Sequence, residues 1–155
     1  MSTSFQTVID NRRSVREFES KPIPDELIAQ IIKNISKCPT AGNLHSYYIL
    51  VVKDPSMRTK IAELSFSQMW IAQAPVVLLF FADLSCAIKK YGKRGKERYA
   101  FTDSNIACSY AQLTVDNLGL KSCWVGAFDE DGINELCGLG RNYIATSVLP
   151  IGYSN

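Results

Sequence analysis

Three arginines and a hydroxyl fall within five residues at Arg12-Arg13-Ser14-Val15-Arg16. In an extended segment alternate side chains share a face, so Arg12, Ser14 and Arg16 can converge. Guanidinium forks beside a hydroxyl suit a phosphate or another planar anion; a solvated basic surface after a helix reads the same way. A second candidate is Cys38-Pro39-Thr40-Ala41-Gly42-Asn43-Leu44-His45. Its small and turn-forming residues allow a ligand close approach to the backbone, and an ordinary helix-to-strand connection has the same composition. In Trp124-Val125-Gly126-Ala127-Phe128, Gly126 marks either a bulge or a place where a flat ligand lies on bare backbone. The fourth candidate is the basic run Lys89, Lys90, Lys93, Arg94, Lys96 and Arg98, interleaved with Tyr91, Tyr99 and Phe101. It would attract a phosphorylated reductant or a nucleic acid, or it is simply a solvated surface.

What is missing narrows the chemistry. His45 is the one histidine of 155 residues, which removes most zinc sites and makes a Ser-His-Asp centre improbable on composition. No glycine-rich phosphate loop of the Rossmann or Walker type occurs, and Gly138-Leu139-Gly140 holds only a fragment of that spacing. The 17 basic and 15 acidic residues leave a formal charge of +2, against a dedicated nucleic-acid binder. Cys38, Cys86, Cys108, Cys123 and Cys137 are odd in number and include no Cys-x-x-Cys pair. Reduced thiols in a cytoplasmic protein are the expectation. Met1–Asn11 has no apolar run, so no N-terminal signal is read there. The longest apolar stretch, Ala74–Ala82, is far short of the roughly 20 residues of a membrane span.

These candidates need elements to position them. Phe5, Val8, Ile9 and Arg12 predict a first helix over Ser4–Asn11. Pro24 followed by Asp25 and Glu26 reads as a helix start, and Leu27, Ile28, Ile31, Ile32 and Ile35 form one apolar face that Pro39 ends. Tyr47–Val52 reads as a central strand covered on both sides. Asp54-Pro55-Ser56 is a turn before a helix over about Met57–Leu64, and Pro75–Ala82 is a second buried strand. Asp103–Leu118 reads as a long core helix ending at Gly119. Lys121–Ala127 predicts a third strand, Asp129–Gly138 a short helix and Ile144–Ile151 a fourth strand. Helices and strands mix without a regular βαβ rhythm, so the class is α/β or α+β.

Taken in order, these blocks resemble the nitroreductase family of FMN-dependent oxidoreductases. Arg-Arg-Ser-x-Arg after the first helix and Pro-Thr-Ala-Gly-Asn-x-His before a strand carry the match. So do Gln68-Met69-Trp70-Ile71-Ala72-Gln73-Ala74-Pro75, Tyr91-Gly92-Lys93-Arg94-Gly95, Asn117-Leu118-Gly119-Leu120, Trp124–Phe128 and Pro150-Ile151-Gly152-Tyr153. The resemblance implies one α+β domain over 1–155, with a central mixed, mainly antiparallel sheet flanked by helices. It also implies an interlocked homodimer with FMN at the subunit interface. Arg12 and Ser14 would hold the FMN phosphate, and Arg16 would lie near the pyrimidine edge. Pro39, Thr40, Ala41, Gly42, Asn43 and His45 match the loop that reaches the flavin from the other subunit, with histidine where the family often has glutamine. Gln68 matches an amide position near the ring, and Gly126 the backbone N–H at flavin N5, with Ala127 beside it. The family's Gly-Tyr is commonly followed by proline and a C-terminal arm, whereas here Ser154 and Asn155 follow Tyr153. Arg13 or a cation of Lys89–Arg98 is therefore expected to replace a phosphate contact. The implied activity is ping-pong transfer through flavin N5. Hydride comes from NADH or NADPH and reduces nitroaromatics, quinones or similar small-molecule acceptors, with no metal and no side-chain acid or base. A non-catalytic FMN carrier or sensor on the same fold is the alternative.

Overall fold

The computed structural model describes residues 4–155. Helix α1 spans Phe5–Asn11, where the Ser4 hydroxyl accepts from the Thr7 N–H at 3.1 Å and satisfies one of the free donors of the first turn. Helix α2 covers Asp25–Ile35, with Pro24 as its cap and Asp25 and Glu26 at its positive end. Strand β1 is Tyr47–Val52 and helix α3 is Pro55–Leu64. The expected turn at Asp54-Pro55-Ser56 belongs to that helix. The Asp54 carboxylate caps the Met57 N–H at 2.8 Å, and Pro55 fills the first helical position. Strand β2 is Val76–Asp83, helix α4 Leu84–Arg94, and a π turn over Gly95–Tyr99 leads into helix α5, Ala100–Asn117. Strand β3 is Lys121–Ser122, helix α6 Glu130–Leu136 and strand β4 Tyr143–Gly152.

The sheet order is β1-β2-β4-β3 and every neighbouring pair is antiparallel. One parallel bridge, Ser14 to Ser122, adds the extended segment after α1 and makes the sheet mixed. Strand β2 lies inside the sheet and inside the protein. Val76, Leu78 and Phe80 face the side packed by Ile28, Ile31 and Ile35 of α2 and by Ala107, Ala111 and Val115 of α5. Val77, Leu79 and Phe81 face Ile61 and Ala62 of α3 and Ile133 of α6. Helices cover both faces, so the β2 sequence is apolar from Val76 to Ala82. No helix among the described residues is long and apolar enough to cross a membrane.

Three expectations are corrected. Tyr47–Val52 is an edge strand rather than a central one. Its unbroken hydrophobicity reports that both faces are partly covered, which says nothing about how many strands flank it. The expected strand Lys121–Ala127 shrinks to Lys121–Ser122 plus one bridge, Val125 to Val148. The register of the two pieces on β4 is continuous, but Pro150 stands opposite Cys123. Val148 donates its N–H toward Val125, so position 150 would donate on the same side, and proline has no N–H to give. Finally, α5 is a core helix on one side only. Ala107, Cys108, Ala111, Thr114 and Val115 are buried, whereas Tyr110 and Asn117 face outward.

Candidate functional site

After α1 the chain turns extended at Arg12. Ser14 then pairs with Ser122, and the Val15 N–H donates to the Ser122 carbonyl at 3.0 Å. The pairing fixes the segment while leaving Ser14 and Arg16 exposed. The Arg16 guanidinium lies 5.9 Å from the centre of the Trp70 ring, and Trp70 stacks on Phe18 at 6.5 Å. Neither Arg12 nor Arg16 has an acidic partner among the described residues; the ion pairs found are Lys53 with Asp25, Lys93 with Glu97 and Lys121 with Asp116. Arg13 differs. Its Nη1 donates to the Asp10 and Arg12 carbonyls at 2.6 and 2.9 Å, so part of its fork closes the end of α1.

Gly126 follows Val125, whose N–H and C=O exchange bonds with Val148 at 2.9 and 3.0 Å. Gly126 and Ala127 are exposed. A Cβ built on Gly126 would meet nothing within 4 Å, and its φ is not in the left-handed region. Its N–H makes no hydrogen bond within the described chain. Neither packing nor backbone geometry inside this chain requires glycine here. Gln68 joins the same corner, donating its side-chain amide to the Ser65 carbonyl at 2.9 Å and to the Ala127 carbonyl at 3.1 Å. Phe66 and Ser67, just before it, have φ of 55° and 59°. For side chains with a Cβ such conformations are strained and collect at functional positions.

The loop after α2 is strained as well. Gly42, Asn43 and His45 have φ of 59°, 56° and 50°. Gly42 is favoured by its left-handed φ; a Cβ there would also have to push aside the ends of the Tyr91 and Lys90 side chains, 2.4 and 2.6 Å away. Asp103 of α5 holds the loop in place. It is 1% exposed and accepts the Ala41 N–H at 2.9 Å and the Ser46 hydroxyl at 2.5 Å, one on each oxygen. Thr40 Oγ1 accepts the His45 N–H at 3.1 Å. The His45 ring sits between Asn43 Oδ1 at 3.0 Å and the Tyr47 hydroxyl at 3.3 Å. A carbonyl oxygen only accepts, so Nε2 carries a proton; the single proton of the Tyr47 hydroxyl lies within reach of both Nδ1 and the Ile35 carbonyl, 3.5 Å away. Burial, and then the nearby Cys38 thiol, push the Tyr47 hydroxyl above its ordinary range, so it stays protonated and able to donate. Sequence reading missed Asp103 and Tyr47. The signal for Asp103 was an acid in line, at spacing four, with the small buried residues Ala107 and Ala111.

The structure gathers Arg12, Ser14, Arg16, Gln68, Gly126 and Ala127 around one corner of the sheet. It does not bring Pro39–His45 to them. The loop enters β1 at Tyr47, opposite Ala82 at the end of β2. Ser14 adjoins Ser122, which faces Ile151, which faces Val76 at the start of β2. Four strand spacings across and six residues along put the two roughly 30 Å apart. The five cysteines are free; burial raises the thiol pKa of Cys38, Cys86 and Cys137, and pushes that of Cys108 up to about 12. None is a ready nucleophile. No cluster among the described residues could hold a metal ion.

Comparison with known proteins meets this geometry. Residues 9–83 and 66–153 match the sequence model of the Nitroreductase family. An NADH dehydrogenase of Thermus thermophilus is 26% identical over 175 residues, spanning 96% of this chain and 85% of that protein. The FMN reductase [NAD(P)H] of Bacillus subtilis is 30% identical over 158 residues, spanning 94% of this chain and 64% of its own length. The solved structure of NfrA2 from B. megaterium superposes with a TM-score of 0.90 at 24% identity, covering 97% of this chain and 66% of that one. The α+β architecture is thus that of solved nitroreductases, and the chain spans about two thirds of some of its relatives. Matched over nearly its whole described length, the chain belongs to the nitroreductase family.

Proposed function

We propose that this chain is an FMN-dependent NAD(P)H oxidoreductase that works as a homodimer, with each flavin held between two subunits. The carrying observation is the separation of the two half-sites. A strained, pinned loop and a corner of unpaired cations lie roughly 30 Å apart in one chain, and a second copy can place one against the other. Unfilled surface supports this: Phe5 and Ile9 of α1 and Tyr110 of α5 are 71%, 43% and 38% exposed along neighbouring helices, an apolar face of the kind subunits bury.

The residues present fit FMN. Gly126 offers an open surface and a free N–H, and Arg12, Ser14 and Arg16 offer two unpaired cations and a hydroxyl. Arg12 and Ser14 hold the phosphate. Arg16, steadied on Trp70, supplies positive charge beside the ring. Gln68 fixes the Ala127 carbonyl, one residue beyond Gly126. The partner's copy of the loop Pro39–His45 covers the ring and excludes water. Bound FMN supplies reversible two-electron chemistry between a reduced nicotinamide and an oxidised acceptor. This chain contributes orientation and electrostatics, and no side chain at the site serves as acid, base or nucleophile. Donor and acceptor use the same opening in turn, so steady-state kinetics are ping-pong, with nitroaromatics and quinones as acceptors.

The test is the visible spectrum of the purified protein, the cofactor released on denaturation and the mass in solution. Flavin bands, released FMN and a mass twice that of the chain are expected. Anaerobic bleaching by NADH or NADPH and return of colour with a nitro compound or quinone complete it. A colourless monomer that fails to bind added FMN overturns the reading.

A further inference from the structure

Six of the 17 basic residues, and one of the 15 acidic ones, lie in the ten residues Lys89–Arg98. The rest of the chain therefore carries 11 basic and 14 acidic residues, a net −3, so the positive potential of this near-neutral protein is concentrated here. The backbone is irregular at the same place. Gly92 has φ 56° and ψ −134°, which breaks α4, and Gly95–Tyr99 winds as a π turn. Gly95 permits it: a Cβ there would lie 2.2 Å from the Ala87 carbonyl oxygen. Single π turns are costly and recur at functional positions.

This irregular backbone orients one arginine. Arg94 Nε donates to the Tyr99 hydroxyl at 2.6 Å, and its guanidinium carbon lies 5.4 Å from the centre of that ring. The two terminal nitrogens have no partner among the described residues. A guanidinium held at Nε presents its remaining fork in one direction, the geometry that takes a phosphate bidentately. Arg94 lines a surface recess of about 440 Å³ with Lys93, Glu97 and Arg98. Glu97 is its one negative group and lies 3.7 Å from Lys93, which leaves Arg94 and Arg98 for an incoming anion. The same segment backs the flavin loop, since Lys90 Nζ donates to the Gly42 carbonyl at 3.4 Å.

We propose that this recess binds a phosphate monoester on the electron donor, the 2′-phosphate that separates NADPH from NADH, and so gives the enzyme a preference for NADPH. The inference rests on the oxidoreductase reading above. The fork alone would take a carboxylate as well; it is the pair of free cations, Arg94 and Arg98, that favours a dianionic monoester over a single carboxylate. The negative remainder of the chain disfavours a long polyanion, which would have to lie across it.

The probes are adenosine 2′,5′-bisphosphate and 5′-AMP, titrated calorimetrically into the protein as purified and after addition of FMN, at about 0.15 M salt. The bisphosphate should bind about tenfold tighter than 5′-AMP, and Arg94→Ala with Arg98→Ala should abolish the difference. Arg94→Lys, which keeps the charge and loses the fork, should lose most of it. Equal affinity for the two probes, or a difference that survives the double variant, overturns the proposal. Tighter binding of duplex DNA than of the bisphosphate overturns it as well. FMN affinity, read separately from flavin fluorescence, keeps the two readings apart. Discrimination without FMN binding sinks the flavin site and leaves the recess standing. FMN binding without discrimination does the reverse.

Discussion

Replacing Asp103 with alanine separates the loop's geometry from its sequence, because Asp103 touches the loop only through Ala41 and Ser46. Ser46 is wholly buried, so its hydroxyl loses its acceptor with no water to replace it, at a cost of about 1–3 kcal/mol. The Ala41 N–H is half-buried and partly rehydrates, at about 1 kcal/mol. The loss of about 2–4 kcal/mol matches what the carboxylate holds against, since Asn43 and His45 in the left-handed region cost about 1–2 kcal/mol each. The pinned conformation then loses its advantage. At about 1.4 kcal/mol per decade, FMN should bind about 30–700-fold more weakly. Asp103→Asn keeps one acceptor and should weaken it about tenfold. The assay is quenching of flavin fluorescence on titration, beside urea unfolding of the same variants. If Asp103→Ala lowers stability by about 2 kcal/mol or more yet binds FMN within twofold of the wild type, then the loop is no part of the site.

Gly126→Val should leave unfolding free energy within about 0.5 kcal/mol, because the residue is exposed and a Cβ there meets nothing within 4 Å. FMN affinity measured by the same quenching should fall at least about tenfold. Gly42→Ala should destabilise by about 1–2 kcal/mol in thermal melts, because of its left-handed φ, while the ends of the Tyr91 and Lys90 side chains can move aside. Stability should also fall above pH 9 through Cys108. The folded thiol, raised by burial from 9.0 to about 12, keeps its proton while the unfolded one loses it. The contribution is complete below pH 9 and is lost as pH rises toward 12. At pH 10.5 this is about 2 kcal/mol, read as the difference in alkaline slope between the wild type and Cys108→Ala.

Helices α1, α2, α3, α5 and α6 and strand β2 could be read from the chain because their signals are local, whereas α4 lies in a stretch read only as polar and basic. The α2 face from Leu27 to Ile35 and its start at Pro24 depend on neighbours within a turn. The edge position of β1 is a statement about pairing, and nothing within Tyr47–Val52 encodes how many strands flank it. The break in β3 lies in Pro150, on another strand. Family resemblance named residues of both half-sites, but only the sheet shows that one chain holds them at opposite corners. Asp103 stayed hidden because its partners, the Ala41 N–H and Ser46 hydroxyl, lie on a loop far away in the chain.

The proton that Pro150 lacks also sets how the sheet margin opens. Between Ser122 and Val125 the chain keeps its register on β4 without one of the bonds that would lock it. That stretch is therefore among the first parts of the sheet to part from its neighbour in local fluctuations. Gly126 stands at its end. A ligand seated on Gly126 would close this margin from outside, so loading should slow amide exchange at Cys123, Trp124 and Val125 more than in β2. If FMN seats there, filling the site and closing this strand are one equilibrium.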